Sequence, residues 1–479
     1  MEINDYINKL KKIIYNSISK AKFENALVAL KILSTIYYDY NQQYIDCELE
    51  EELLQIKKRL LKNESYEVED NCIFFYDGFG LDLRGWAASY IRALSNLGYY
   101  IIYACPQKSK GKIPHIISEL CKDNSKIVYI GDELSNISKV KKIDAIFKMH
   151  RPISAFFYTR PNDIAAAIAF ANNPSTIRFQ IDLTDHAYWI GVNAFDYILE
   201  SREMGASIAL YERGVSKEKI VKLDCVPYIN KERYEKPLPF DIYKEKYVFT
   251  GGALYKTLGD KELFYYKTIV HILEKFPSIK FLYAGNGDDS EMCKLISKYP
   301  GRVHLIGERP DFFEIIRNCI LYINSYPMFG GLMMRYAALA HKVPITLKHG
   351  NDADGILFEQ NKLGIEFDNY QDYIKEIDKL LFDEEYRKFK EKLVENSVLT
   401  EEKFSFNLKL LIEKHTTEFK FEKIERFDTT EFRKEYKRRY SKEMLCKAIG
   451  QKDNIKIFKY FPVEFTLGLS TQIKEKILK

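Results

Sequence analysis

A histidine with carboxylates one and four residues before it stands in Ile181-Asp182-Leu183-Thr184-Asp185-His186-Ala187-Tyr188-Trp189-Ile190-Gly191. Histidine is the side chain whose ordinary pKa suits a general base near neutrality. Either Asp182 or Asp185 could fix its tautomer, leaving the other ring nitrogen to take a proton from a hydroxyl. The competing reading makes the aspartate a helix cap and His186 its structural partner. A second candidate is Asn324-Ser325-Tyr326-Pro327-Met328-Phe329-Gly330-Gly331-Leu332, where a strand ends and a helix begins. Two glycines permit close backbone approach, and free amides at a helix N-terminus bind phosphate. A cap and tight turn is the plainer alternative. His150-Arg151-Pro152 reads as a strand end that could line a substrate site, or as a buried structural histidine. Gly78-x-Gly80 lacks a third glycine at Leu83, so it is no dinucleotide fingerprint. The other histidines lack metal-ligand spacing. Asn351-Asp352-Ala353-Asp354-Gly355 lacks the downstream glutamate of a calcium loop and reads as a turn.

These residues sit among short apolar runs that alternate with helical segments. Strands are expected at Cys72–Tyr76, Tyr99–Ala104, Lys126–Ile130, Ala145–Met149 and Ile177–Gln180. A second series is expected at Tyr247–Thr250, Ile279–Ala284, Val303–Ile306, Leu321–Asn324 and Val343–Leu347. Alternating strand and helix implies parallel sheets with helices on both faces and ligands at the strands' carboxyl ends. The expected class is α/β, with two Rossmann-like doubly wound domains facing a cleft. Pro237-Leu238-Pro239 marks the linker. The expected divisions are a helical module at 1–66, domains at 67–236 and 237–400, and a helical basic extension at 401–479.

The 479 residues are 46% hydrophobic and 29% charged, which excludes a disordered chain, a collagen and a disulfide-stapled miniprotein. The eight cysteines form no CxxC pair and suggest a reducing compartment. No apolar signal core opens the sequence and no run of eighteen apolar residues occurs, so a cytoplasmic protein is expected. The net charge of +5 is uneven: residues 420–479 hold 16 basic and 9 acidic side chains, more than the whole excess. The basic run Phe432 to Tyr440 is either a solvated face or a surface for anionic lipid on the inner side of a membrane, and no nucleic-acid partner is expected.

In its second half the sequence resembles the nucleotide-binding half of a GT-B glycosyltransferase. The resemblance rests on five ordered blocks: Thr250-Gly251-Gly252 with Lys256 and Lys261, Glu274 to Pro277, Phe281 to Gly287, Val303 to Arg309, and Phe329-Gly330-Gly331 running to Pro344. It implies that Gly330 and Gly331, with Ser325 and Leu332 beside them, hold a donor diphosphate. A lysine of the Gly251-Gly252 block, Lys256 or Lys261, would neutralise it, and Gly307, Glu308 and Arg309 would meet the base. The glutamate pair of many retaining members is replaced by Phe329 and Ala337, which favours inversion or a divergent donor. The Asp-His-aromatic-Trp-x-Gly segment resembles that of bacterial capsule and surface-glycan transferases. Asp196-Tyr197, Ser201-Arg202-Glu203, Glu212-Arg213-Gly214, Lys219-Ile220 and Pro227 follow it as they do there. By the same resemblance Gly78, Gly80, Arg84 and Gly85 form a loop over the cleft, its amides and Arg84 contacting acceptor or donor phosphate.

The expected activity is transfer of a sugar from a nucleotide diphosphate sugar to a hydroxyl of a surface glycan or lipid-linked acceptor. His186 would be the base, and no metal or other cofactor would be needed. A protein glycosyltransferase, a sugar-nucleotide epimerase and a catalytically silent scaffold subunit are the alternatives.

Overall fold

Apolar runs such as Cys72-Ile73-Phe74-Phe75-Tyr76 suit strands buried on both faces, and they fold that way. In the computed structural model the described residues are 2–81, 85–109, 117–118, 121, 124–131, 135–224, 226–229, 234, 236–349, 355–421 and 423–477. The strands β1 (Glu69–Asp77), β2 (Tyr100–Pro106), β3 (Ser125–Ile130), β4 (Pro152–Tyr158), β5 (Ile177–Ile181), β6 (Tyr197–Glu200) and β7 (Ile220–Lys222) form a sheet in the order β3-β2-β1-β4-β5-β6-β7. Every pairing is parallel. Stacked rings cross four of its strands: Phe75–Phe156 at 6.2 Å, Phe156–Phe179 at 5.1 Å and Phe179–Tyr197 at 5.6 Å between centroids. Such cross-strand pairs fix register on a buried face.

A second parallel sheet contains β8 (Tyr247–Gly251), β9 (Lys280–Ala284), β10 (Val303–Leu305), β11 (Leu321–Ile323), β12 (Pro344–Leu347) and β13 (Glu366–Phe367). Its order is β10-β9-β8-β11-β12-β13, so the winding reverses between β8 and β11. In the first sheet it reverses between β1 and β4. The expected α/β class with two doubly wound parallel sheets is therefore the observed one.

The chain forms two compact units: Met1–Asp82 with Tyr90–Leu223 and Ser405–Lys479, and Leu83–Ser89 with Asp224–Phe404. The helical segments at both ends of the chain, set apart in the sequence reading, share the first unit's core. Helices Ile3–Ser19, Phe23–Tyr40 and Cys47–Leu60 bury Leu10, Leu27, Leu30 and Leu33 in one cluster with Ile164 and Tyr188. Leu445, Ile449, Ile457, Phe461 and Phe465 from the C-terminal helices complete that cluster.

One expected strand is a helix. Ala145–Met149 lies inside the helix Asn136–His150, which Ser135 caps by accepting from the Ser138 amide and which ends at Arg151 in the left-handed region. Pro152 then opens β4, which the sequence reading missed along with β6, β7 and β13. Among the described cysteines, Cys72, Cys105, Cys121, Cys319 and Cys446 are buried and unbridged. Among the described residues no helix is long and apolar enough to cross a membrane.

Candidate active site

β5 ends at Ile181, and the turn from Asp182 to Gly191 follows at its carboxyl end. There His186 Nδ1 lies 3.1 Å from Asp185 Oδ1. Asp185 is itself fixed by Arg202, which follows β6 and donates Nε to Oδ2 at 2.6 Å and Nη2 to Oδ1 at 2.9 Å. Burial opposes ionisation of Asp185, but Arg202 and the His186 contact outweigh it and hold its pKa below the ordinary carboxylate range. An ionised Asp185 keeps the proton of neutral His186 on Nδ1 and leaves Nε2 as the basic nitrogen. The His186 ring is partly exposed, with the Phe432 ring edge-on at 6.2 Å. Of the two aspartates left open by the sequence, Asp185 is the one that meets the histidine.

Asp182 has a different task. Its Oδ1 accepts from the Thr184 amide at 2.9 Å, and its Oδ2 accepts from Trp189 Nε1 at 3.0 Å with Arg213 Nη1 at 3.5 Å. Arg213, wholly buried, donates Nη2 to the carbonyls of Thr184, Asp185 and Ala187, so the turn is wound around one guanidinium. Glu200, at the end of β6, is buried against Asp182, and among the described residues neither of its carboxyl oxygens receives a donor from another group. Desolvation and the neighbouring aspartates hold its carboxyl well above the ordinary range. The proton between this pair resides on Glu200, because Asp182 collects the other donors. With Glu200 protonated, two carboxylates balance two arginines. Gly205 makes the arrangement fit: a Cβ there would stand 2.1 Å from Glu200 Oε2 and 3.0 Å from Asp185 Cβ.

The N-terminal helices brace the same turn. Asn41, in the left-handed region after Phe23–Tyr40, donates Nδ2 to the His186 carbonyl at 3.0 Å and accepts at Oδ1 from the Tyr188 amide at 3.2 Å. Glu50 accepts from the Gly191 amide at 2.8 Å, and burial lifts its pKa to about 7. The sequence reading missed Asn41, Glu50, Glu200 and the contacts of Arg202 and Arg213. The two arginines stand in quoted motifs, whereas Asn41 and Glu50 lie more than 140 positions from their partners.

The glycine loop after β1 corrects an expectation. Its amides do not await a ligand: Gly78 donates to the Tyr158 carbonyl, and Phe79, Gly80 and Leu81 donate to the buried Asp77 carboxylate at 2.7–2.9 Å. A Cβ at Gly78 would stand 2.0 Å from Thr159 Oγ1, so glycine there serves packing at the β1/β4 reversal. Gly85 has φ +72° and a Cβ there would meet Tyr228, while Arg84 lies outside the described residues. His150 closes a helix before β4, at the amino end of that strand, with Lys126 Nζ 3.5 Å from its Nε2. It ends no strand and lies away from the carboxyl ends. The Asn351–Asp354 turn is also outside the described residues.

In the second unit the candidate residues gather where β8 and β11 diverge. Asn324 Oδ1 accepts from the amides of Ser325 and Gly330 at 3.0 and 2.9 Å, and Ser325 Oγ donates to the Met328 carbonyl at 2.7 Å. These bonds shape the loop into the helix Gly331–Leu339, whose first amides have no acceptor inside the helix. Lys256 is half-buried and donates Nζ to the Phe329 carbonyl at 3.3 Å, while Lys261 is exposed. Geometry thus ranks Lys256 first. Gly251 ends β8, and Gly252 (φ +139°) donates to the Ala284 carbonyl. A Cβ on Gly285 would fall 1.8 Å from the Gly252 carbonyl oxygen, so only glycine fits. Gly307 turns at φ +70° and Glu308 is exposed. Arg309 is buried, bidentate to Asp311 at 2.8 Å and stacked 4.7 Å from the Tyr234 ring. Leu332 is half-buried beside Tyr336.

No family model matches the sequence, and no curated protein matches it. The fold is similar to a candidate UDP-N-acetylglucosamine 2-epimerase from Listeria monocytogenes, with TM-score 0.52 and 12% identity over 75% of this chain and 99% of that one. A UDP-N-acetylglucosamine 2-epimerase matches with TM-score 0.52 and 11% identity over 74% and 99%. A Thermobaculum terrenum O-GlcNAc transferase variant matches with TM-score 0.50 and 12% identity over 89% and 81%. The likeness at these identities is one of fold, the GT-B class with its Rossmann-like sheets.

Proposed function

We propose that the protein is a glycosyltransferase that takes a sugar from a nucleotide diphosphate sugar to an acceptor hydroxyl with inversion. The observation that carries the reading is the Asp185–His186 hydrogen bond with Arg202 locked on Asp185. In the proposed step the acceptor oxygen attacks the anomeric carbon as its proton passes to His186 Nε2. The bond from that carbon to the diphosphate oxygen breaks, and its electrons remain on the departing nucleotide diphosphate. Lys256 and the amides opening Gly331–Leu339 meet the departing charge. A glycan or lipid-linked hydroxyl is the acceptor class.

Epimerisation of a nucleotide sugar is the second reading, favoured by the fold shared with 2-epimerases. The carboxylates around His186 argue for transfer instead, because Asp182, Asp185 and Glu200 are buried and committed to arginines or to one another. His186→Ala should lower sugar transfer by a factor on the order of 10³ and leave nucleotide affinity within about twofold. Transfer at the wild-type rate in that variant would refute the assignment. Incubation with donor alone, followed by product analysis, separates epimerase from transferase.

A further inference from the structure

We propose that a ridge formed by Ile455, Phe458, Val463 and Leu467, edged by Lys452, Lys456 and Lys459, docks the protein on an anionic phospholipid surface. The ridge spans the 3₁₀ helix Lys452–Tyr460 and the start of the helix Pro462–Ile477. A 3₁₀ helix repeats every three residues, so Lys452, Ile455 and Phe458 share one face and Asp453, Lys456 and Lys459 a second. The third carries the buried Asn454 and Ile457. In the following α-helix, Val463, Leu467, Ser470 and Lys474 line up at helical spacing, and all are exposed. The apolar side chains are unusually bare: Ile455 56%, Phe458 43%, Val463 63% and Leu467 47% exposed. Four large exposed apolar groups fall within thirteen residues, a density that single scattered side chains do not reach.

Charge selects the occupant. Between Asp453 and Glu464, whose Oε1 accepts from Tyr6 at 2.7 Å, no carboxylate occurs, and among the described residues Lys452, Lys456 and Lys459 have no ion-pair partner. The basic run expected to serve this purpose is largely paired with carboxylates. Arg426 and Arg433 pair with Glu212, Lys434 with Glu431, and Arg438 and Arg439 with Glu435. Another bare apolar group, Phe382, Phe389 and Leu393, is interleaved with Glu384, Glu385 and Glu395 as well as lysines, so it offers no complement to an anionic surface. Apolar side chains between unpaired lysines suit the boundary between headgroups and acyl chains, where both terms act together. The inference does not depend on the transferase reading.

Flotation of the full-length protein with vesicles tests it. The wild type should float with an equal mixture of phosphatidylglycerol and phosphatidylcholine, weakly with phosphatidylcholine alone, and less as salt rises. Phe458→Glu with Leu467→Glu should reduce the bound fraction by about tenfold, and Lys456→Glu with Lys459→Glu similarly. Unchanged circular dichroism is expected, because all four positions are exposed. Arg438→Glu with Arg439→Glu should float as the wild type does. Equal flotation with both vesicle types, or of the ridge variants and the wild type, would overturn the proposal. So would a drop in molecular mass by light scattering in the ridge variants, which would make the ridge a protein interface.

Discussion

His186 owes its proposed role to the groups that hold it. Arg202 holds Asp185 ionised, Asp185 sets the proton on Nδ1, and Asn41 holds the peptide on either side of the ring. Asn41 offers a clean test because its backbone sits at φ 42°, ψ 50°, a region glycine enters without strain. Asn41→Gly therefore keeps the helix end and deletes both side-chain bonds. In initial-rate assays the variant should lose about tenfold in kcat with the donor KM nearly unchanged, alongside a fall of a few degrees in Tm. An unchanged kcat would mean that the turn holds its shape without the clamp. The Asp-His pair and the glycine loop were legible as residue types at suggestive spacing. Which aspartate meets the histidine, and that Lys256 rather than Lys261 reaches the Phe329 carbonyl, depends on side-chain directions that spacing leaves open.

At the level of elements, buried strands such as Tyr247–Gly251 and Lys280–Ala284 announce themselves because both faces demand apolar residues. Ala145–Met149 misleads for the same reason: a short apolar run suits a buried helix equally well, and the deciding signals are the Ser135 cap and Pro152. The helix Cys47–Leu60 looks like an independent module, yet its Glu50 terminates on the Gly191 amide. That junction carries a pH signature. Glu50 has its pKa raised from the ordinary 4.5 to about 7 by burial, so the folded state holds a proton the unfolded state releases. Its stabilising effect is full below the unfolded value of 4.5 and is lost as pH rises from there through about 7, about 3 kcal/mol in all. Glu50→Gln keeps an acceptor for Gly191 and should flatten this part of the Tm–pH curve. A variant that retains the wild-type slope would place the titration elsewhere.

Across the whole molecule, the two sheets and their order follow from local pattern, whereas the joining of both chain ends in one core does not. Leu27, Leu30 and Leu33 share a cluster with Ile449, Ile457 and Phe461, contacts between residues more than 400 positions apart. Deleting residues from Ser441 onward would remove Leu445, Ile449, Ile457, Phe461 and Phe465 from that cluster and uncover the apolar side chains they cover. At about 1.5–3 kcal/mol each, that loss rivals the net stability of a typical domain. Such a truncation should yield no cooperative melt by circular dichroism; a normal melt would show that the C-terminal helices are dispensable. The charge excess of the tail is accordingly part of a folded unit, with its basic run largely paired. In the proposed function the loop at the β8/β11 divergence binds a nucleotide diphosphate sugar. Thermal-shift titration of a panel of these donors tests it most directly. At least one should raise the Tm of the wild type, of Lys261→Met and of His186→Ala, and the shift should collapse in Lys256→Met. No shift with any donor, or a full shift in Lys256→Met, would contradict it.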